Sequence, residues 1–356
     1  MAEKYSNKKR IIIILLFWLI LWFLFNNPLN IDFENILDLV KKAACSFYNV
    51  MKGLINLISN LKMFSLNQVI VNGIFIGIIY ALVAIGFTII YRTIKFFNFA
   101  HGAVYAAGAY FAYTFFILLN ITPALSFLLS IIFAGLLGVC IDRFVYVPLR
   151  KHKTSNLVFL IASFGVFIFL QNLLQLIFGA QILTLRTGPV KEGHHFLGAV
   201  FTDIQILIIV SSLVLFFVCW LFIQKIKIGK AIRAVSDDPI GARVVGINSE
   251  KIIMIAFAIG SALAGAAGIL VSLETNIEPT MGMNAILKGI IASIVGGIGS
   301  IPGALFGGLL LGMAENIGIW KIQAGWKDAI AFGILILFLL FRPSGIMGVK
   351  TEKEKI

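Results

Sequence analysis

Ionisable residues inside long apolar stretches are the first candidates for chemistry in this sequence. Three such side chains, His101, Lys288 and Glu315, interrupt stretches that are otherwise apolar. If these stretches cross a bilayer, a charge buried at its middle costs about 2.5–3.5 kcal/mol on insertion scales. Each side chain should therefore face a cavity or a partner. Glu315 and its neighbour Asn316 lie near one end of their stretch, where a polar vestibule or a binding site would fit equally well.

Two short segments break the apolar pattern. Residues 97–102 read FNFAHG, and residues 296–303 read GGIGSIPG. Irregular backbone at membrane depth is tolerated only against protein or water. Each segment therefore lines the interior of a helix bundle or caps a helix end at the interface, and the sequence leaves both readings open. Our candidate residues for a translocation path are Asn98, His101, Gly102, Glu315 and Asn316.

The sequence offers no constellation of residues for catalysis. It contains no GxxxxGK[ST] phosphate loop, no H-E-x-x-H motif and no nucleophile–base pair. No chain of Asp, Glu or His runs through the apolar stretches, as a proton- or sodium-coupled carrier would need. His194 and His195 are adjacent but have no third metal ligand nearby. We therefore predict no catalytic residue, no metal and no cofactor, so uphill transport would draw its energy from another subunit.

A polar loop at 224–250 contains the signals for one short helix. Asp237 or Asp238 can cap its N-terminus, because either carboxylate can accept a backbone N–H. Pro239 suits the first helical position, and Gly246 is a natural stop. The apolar face of this helix comprises Ile240, Val244 and Val245. A helix of about two turns is marginal in water, so it should dock either on a soluble partner or on its own domain.

The composition indicates what kind of protein holds these residues. Hydrophobic residues make up 60% of the chain and charged residues 13%, against roughly 45–50% and about 25% in soluble proteins. These values exclude a soluble domain and a disordered chain. The apolar runs are continuous, unlike the alternating pattern of a membrane barrel. We predict an all-α polytopic membrane protein with about 8–10 transmembrane helices, including a possible re-entrant or broken segment.

The order of the apolar runs predicts the domain organisation. Residues 1–27 form an uncleaved first span, and 28–65 form an amphipathic segment at the outer interface. A helical membrane domain covers 66–348, and 349–356 form a cytoplasmic tail. The runs within the domain lie at about 67–91, 102–119, 124–141, 156–178, 203–223, 251–273, 284–299, 302–319 and 327–342.

The distribution of positive charge predicts the orientation. Alternating the spans places 20 of the 29 Lys and Arg residues on the side of the N-terminus and 8 on the other side. Cytoplasmic loops are rich in these residues, so both termini and the loop at 224–250 should be cytoplasmic. The net charge of +13 then reflects loops beside a bilayer and not a nucleic-acid partner.

Small residues recur four apart within several runs. Gly73 and Gly77 form one pair, and Gly308 and Gly312 form another. Apolar side chains gain little from helix contact in lipid, so close backbone approach at small residues supplies the packing energy. We expect these rows to be helix–helix contact faces.

Four motifs, in the order NFAHG, RAVSDDPIGARVVGI, GGIGSIPG and FRPSGIMG, resemble one known family. The chain is similar over 66–348 to the permease subunits of branched-chain amino acid ABC importers, the LivH/LivM family, and more closely to the LivH type. Residues 1–65 have no counterpart in that resemblance.

The resemblance implies partners and a location. These are a sister permease in a heterodimer, two cytoplasmic ABC ATPase subunits that bind the ATP, an extracytoplasmic substrate-binding protein and the bilayer of the bacterial inner membrane. It also implies that the loop at 224–250 seats in a groove of the ATPase. The residues of this coupling loop are Arg233, Asp237, Asp238, Pro239, Ala242, Arg243 and Gly246.

Alternatives remain at this stage. The same motifs occur in permeases for urea and short-chain amides, and the apolar lining does not distinguish these from permeases for leucine, isoleucine and valine. A self-sufficient carrier or channel is an alternative from another class, and it would need no ATPase. A membrane-embedded enzyme lacks catalytic residues in this sequence.

Overall fold

The structure, a computed structural model, describes residues 63–186, 193–196, 199–320 and 322–348. The predicted first span, the tail at 349–356 and nearly all of the predicted amphipathic segment lie outside these residues. The contacts within the chain separate it into two units, Met1–Leu66 and Asn67–Ile356. The helix packing described here lies within the second unit.

Twelve helices and one small hairpin form the described part of the chain. The helices are α1 (Met63–Ile94), α2 (Ala100–Tyr113), α3 (Pro123–Ile141), α4 (Val147–Lys151), α5 (Asn156–Phe178), α6 (Asp203–Lys225), α7 (Lys227–Asp237), α8 (Pro239–Val244), α9 (Ser249–Ser272), α10 (Met281–Gly296), α11 (Ile301–Ile319) and α12 (Lys327–Phe341). Single π-helical turns continue α2 over Thr114–Leu118 and join α3 to α4 over Asp142–Tyr146, and a 3₁₀ turn at Ala324–Trp326 precedes α12. Strands β1 (His194–Phe196) and β2 (Ala199–Phe201) pair antiparallel.

The predicted all-α membrane fold is confirmed. Each apolar run predicted after residue 65 coincides with a helix, within a few residues at its ends. Among the described residues, seven helices are long and apolar enough to cross a membrane. Helix α10 has only 16 residues, and α2 reaches 19 residues only with its π-helical turn, so these two are the shorter members of the bundle.

The helices divide into an inner and an outer group. Helix α9 packs against α2 and α3, and α10 packs against α11 and α2. Within the chain, 83% of the most apolar part of α1 is buried, against 6% for α12. The outward faces of α5, α6 and α12 carry large apolar side chains, such as Phe169, Phe217 and Leu337. Such faces suit lipid or a neighbouring membrane subunit.

Glycines set the closest helix contacts, as the small-residue rows predicted. Where α1 meets α11, a Cβ on Gly77 would lie 2.8 Å from Leu309 Cα, and a Cβ on Gly312 would overlap Gly77 itself. Where α2 meets α9, a Cβ on Gly108 would overlap Gly265. The backbones approach this closely only because no side chain separates them.

The connections collect at two ends of the bundle. At the end that we call the basic end, Arg92 contacts Asp237 and Gly299, and Arg150 contacts Glu250. At the opposite end, Leu183 pairs with Ile277 through backbone hydrogen bonds. The basic end therefore carries the links 95–99, 152–155, 226–248 and 297–300, in agreement with the predicted alternation of spans.

Two elements were not predicted. We interpreted 224–238 as loop, but α7 occupies Lys227–Asp237 with Ile232 and Val235 buried. Helix α7 folds back on the end of α6, where a Cβ on Gly229 would overlap Phe222 and Ile223. The link before α6 also contains a hairpin, formed by β1 and β2. Thr202 and Gln205 then close a reciprocal capping box at the start of α6.

The close approach of α1 and α11 generates a stability prediction. Replacing Gly77 with Val should lower the free energy of unfolding by about 1–3 kcal/mol or more, because overpacking must displace backbone and not a flexible side chain. The measurement is thermal unfolding of the purified protein in detergent. Gly333→Val is the matched control, since nothing lies within 4 Å of a Cβ at Gly333 in helix α12. Equal melting temperatures for the two variants would contradict the packing role.

Candidate functional site

Helix α8 is capped at both ends, as the loop sequence predicted. The Asp238 carboxylate accepts the backbone N–H of Ile240 at 2.9 Å, and Pro239 occupies the first turn. Gly246 has φ +85°, a conformation that side chains rarely adopt, and it ends the segment. The helix has six residues and is therefore shorter than the two turns that we predicted. Asp238 is the cap, whereas Asp237 pairs with Arg92.

The apolar face of α8 points away from the chain. The exposed fractions of Ile240, Val244 and Val245 are 68%, 83% and 74%. Ala242 is the one residue of the helix that is buried. One face of α8 is therefore folded on its own domain, and the other is exposed, so docking of that second face on a soluble partner stays a prediction.

Hydrogen bonds within 239–249 hold α8 against the start of α9. The Arg243 side chain donates to the carbonyl oxygen of Pro239 at 3.2 Å, and the Ser249 hydroxyl donates to the same oxygen at 3.3 Å. The backbone N–H of Ile247 donates to Ala242 at 2.9 Å. Arg233 donates to Gln224 and so joins α7 to the end of α6. A cavity of about 760 Å³ lies beside α8, with Arg243, Gly246 and Asn248 in its wall.

An ionic cluster anchors the start of α9 next to this loop. One nitrogen of the Arg150 guanidinium lies 2.8 Å from Asp142, and another lies 2.9 Å from Glu250. Asp142 is almost fully buried, so its charge needs a partner. Arg150 therefore joins the π-helical turn after α3 to the first turn of α9, close to the place where the coupling loop ends.

The path candidates near the start of α2 lie inside the basic end of the bundle. Asn98 accepts a hydrogen bond from the Tyr146 hydroxyl at 2.7 Å. His101 is buried under α1, where a Cβ on Gly86 would lie 3.0 Å from His101 Cε1. A Cβ on Gly102 would lie 2.9 Å from Ile286 Cγ2. All three residues are buried within the chain, and their contact with a substrate stays a prediction.

The other path candidates form part of a second polar cluster, toward the opposite end. The Lys288 ammonium contacts Glu315 at 2.5 Å and Asp328 at 2.9 Å. Tyr80 donates its hydroxyl proton to the second oxygen of Glu315 at 2.9 Å. Glu315 is fully buried, whereas Asp328 of the same cluster is exposed, and the role of Glu315 in a polar vestibule or a binding site stays a prediction.

The sequence analysis identified Lys288 and Glu315 as candidates but did not predict that they pair. Lys288 lies on α10 and Glu315 on α11, two antiparallel helices that a short turn at 297–300 connects. This connection was a signal that the two charges could share one interface. Asn316 donates to Gly312 at 2.9 Å within α11. Glu315 and Asn316 therefore lie apart from Asn98, His101 and Gly102, and the structure does not bring the five candidates together.

His194, one of the two adjacent histidines, is the first residue of β1. His194 Nε2 lies 2.8 Å from Asp203, which holds the first strand beside the start of α6. No group of three or more His, Cys, Asp or Glu side chains that could hold a metal occurs among the described residues.

Comparison with known proteins identifies the family. The family described as the permease component of branched-chain amino acid transport systems matches residues 69–339. The chain belongs to this permease family. The permease is 42% identical to the high-affinity branched-chain amino acid transport system permease protein BraD of Pseudomonas aeruginosa, over 81% of this chain and 97% of that protein.

Two further relatives have the same kind of name. The permease is 36% identical to LivH of Escherichia coli K12, over 81% of this chain and 97% of that protein. It is 31% identical to a probable LivH of Methanocaldococcus jannaschii, over 77% of this chain and 90% of that protein. Permeases of this family are multi-pass inner-membrane subunits of ABC transporters, which also contain ATPase and substrate-binding components.

The buried ion pair generates a second stability prediction. Replacing Lys288 with Met should cost about 3–5 kcal/mol in the free energy of unfolding, because Glu315 is left as an uncompensated buried charge. Adding Glu315→Gln should recover most of that loss, since the amide is neutral and its oxygen still accepts from Tyr80. The measurement is denaturant or thermal unfolding in detergent.

Asp328→Asn serves as the control for this cluster. The Asp328 carboxylate is exposed, so its loss should change the stability by less than about 1 kcal/mol. A single Lys288→Met variant as stable as the double variant would contradict the ion-pair account.

Proposed function

We propose that this permease is a membrane subunit of an ATP-driven ABC importer for leucine, isoleucine and valine, and that it forms half of the translocation path. The observation that carries the proposal is the exposed apolar face of α8, held on one end of a membrane-embedded bundle. This proposal is supported by the names of BraD and LivH, which refer to high-affinity branched-chain amino acid transport.

The basic end is the cytoplasmic end in this proposal. Its loops carry most of the Lys and Arg residues, and cytoplasmic loops have this bias. Helix α8 then faces the cytoplasm, where ATPase subunits would meet it, and both termini lie on the same side. The opposite end, with the hairpin and the loop before it, faces the substrate-binding protein outside.

Helix α8 is the contact through which the ATPase subunits act on the permease. An exposed apolar patch of three aliphatic side chains on a polar loop is typical of a protein–protein contact. Burial of these side chains in a groove would stabilise the assembly by about 25 cal/mol per Å² of apolar surface. ATP binds to the partner subunits, and the permease itself needs no cofactor. The coupling residues remain those predicted from the sequence: Arg233, Asp237, Asp238, Pro239, Ala242, Arg243 and Gly246.

The path residues act through the helices that contain them. Asn98, His101 and Gly102 fix the start of α2, whereas Glu315 and Asn316 belong to α11. Because all of them are buried within the chain in this structure, we propose that they set the positions of these helices on either side of the path. Transport is then a shift of population between two arrangements of the same helices.

The first experiment tests the class of protein. Expressed with its sister permease and ATPase subunits, the chain should co-purify with both, and the complex in liposomes should take up leucine only with ATP and the binding protein. The chain alone should give neither ATP hydrolysis nor flux. Flux from the chain alone would make it a self-sufficient carrier or channel. Uptake of urea or acetamide in place of leucine would overturn the substrate class.

The second experiment tests α8 as the ATPase contact. Changing Ile240, Val244 and Val245 together to Ser should reduce co-purification of the ATPase subunits at least tenfold, while the permease still inserts and folds. The matched control is Ile182→Ser, because Ile182 is an exposed aliphatic residue at the opposite end of the molecule. Full ATPase association of the triple variant would rule out this face.

A further inference from the structure

We propose that Arg92 is the positioning residue that carries movement of the α7–α8 segment to the turn between α10 and α11. The inference rests on the proposed function, because it requires that a partner pushes on α8. It concerns a different residue, however, on the first helix of the bundle and outside the loop that meets the ATPase.

Arg92 contacts two elements, the end of α7 and the turn at 297–300. One nitrogen of its guanidinium lies 3.1 Å from the Asp237 carboxylate at the end of α7. The other donates to the carbonyl oxygen of Gly299 at 3.4 Å. The planar guanidinium presents donors in a fixed fork, so a single side chain can hold both elements at once.

A second contact reinforces the link to α7. The Ser236 hydroxyl donates to the carbonyl oxygen of Arg92 at 2.9 Å, and Ser236 is almost completely buried. This oxygen lies in the last turn of α1, where backbone carbonyls lack partners within the helix. The end of α7 therefore contacts both the backbone and the side chain of Arg92. Helix α8 begins directly after α7.

The other element that Arg92 contacts is the turn between α10 and α11. The turn at 297–300 contains Gly297 with φ +109° and Gly299 with φ +93°. The backbone N–H groups of Ile346 and Met347, which follow α12, donate to Val295 and Gly296 at 2.9 Å. A displacement that reaches this turn would therefore move the ends of α10, α11 and α12 together.

These contacts give Arg92 a role that an ordinary surface ion pair would not have. An exposed pair adds little stability, so the loss of the Arg92–Asp237 contact should leave the fold intact. It would, however, separate the segment that carries α8 from the helices that border the path. The other anchor of this segment, Arg150 on Glu250, leads to α3 and not to the turn at 297–300.

The test uses the complete transporter in liposomes, with leucine-loaded binding protein. Leucine uptake and ATP hydrolysis are measured together, and their ratio reports the coupling. Arg92→Ala should assemble normally and hydrolyse ATP at the parental basal rate, but its ratio of uptake to hydrolysis should fall about tenfold. Arg92→Lys, which keeps the charge but loses the fork, should fall between the parent and Arg92→Ala.

Two further variants make the result specific. The charge exchange Arg92→Glu with Asp237→Arg should restore at least half of the ratio that Arg92→Glu alone loses. Arg143→Ala, at an exposed arginine of the same end of the molecule, should keep the parental ratio. A parental ratio for both Arg92→Ala and Arg92→Lys overturns the proposal. A parent complex that neither assembles with ATPases nor takes up leucine overturns the proposed function instead, and this inference with it.

Discussion

Close approach of helix backbones is the constraint on which this bundle depends. Apolar side chains on a transmembrane helix are as well accommodated by lipid as by another helix, so contact between large side chains gives little driving force. The inner helices instead meet at glycines, with α1 on α11 near Gly77 and α2 on α9 near Gly108. Contacts of this kind have smooth surfaces with little interdigitation. They allow one helix to shift against another at low cost, provided that the ends of the helices are held.

The charged clusters fix the ends of these helices. Arg150 ties the π-helical turn after α3 to the first turn of α9, and Lys288 ties α10 to α11 and to the start of α12. A buried charge with a single possible partner fixes register, because any slip would leave it unpaired at a cost of several kcal/mol. The two kinds of contact therefore have complementary roles. The small-residue contacts permit one helix to shift along another, and the ion pairs limit which helices can shift.

The sequence predicted the features that depend on local signals, and it did not predict those that depend on register. The capped start of α8 follows from Asp238 and Pro239 alone, and the positions of the long helices follow from their apolar runs. Helix α7 was missed, although Ile232 and Val235 have helical spacing, because its lysines and Gly229 suggested a loop. The pairing of Lys288 with Glu315 depends on how two helices are aligned, and the partner of Asn98 is a tyrosine 48 residues away. Neither relation is visible in a single sequence.

In the proposed function, the short helix α8 is the element that receives a force from the ATPase subunits. Six residues form too short a helix to be stable alone, but α8 begins at the Asp238 cap and is held by Ala242 on the bundle. Its neighbours on both sides are tied to different parts of the molecule, α7 to α1 through Arg92 and α9 to α3 through Arg150. In the proposed function, a push on the exposed face of α8 therefore divides between two routes. Each route begins at an exposed carboxylate of the segment, Asp237 on Arg92 and Glu250 on Arg150. The Arg92 route adds the buried Ser236 hydroxyl, so the segment is joined to α1 by one contact more than a surface ion pair.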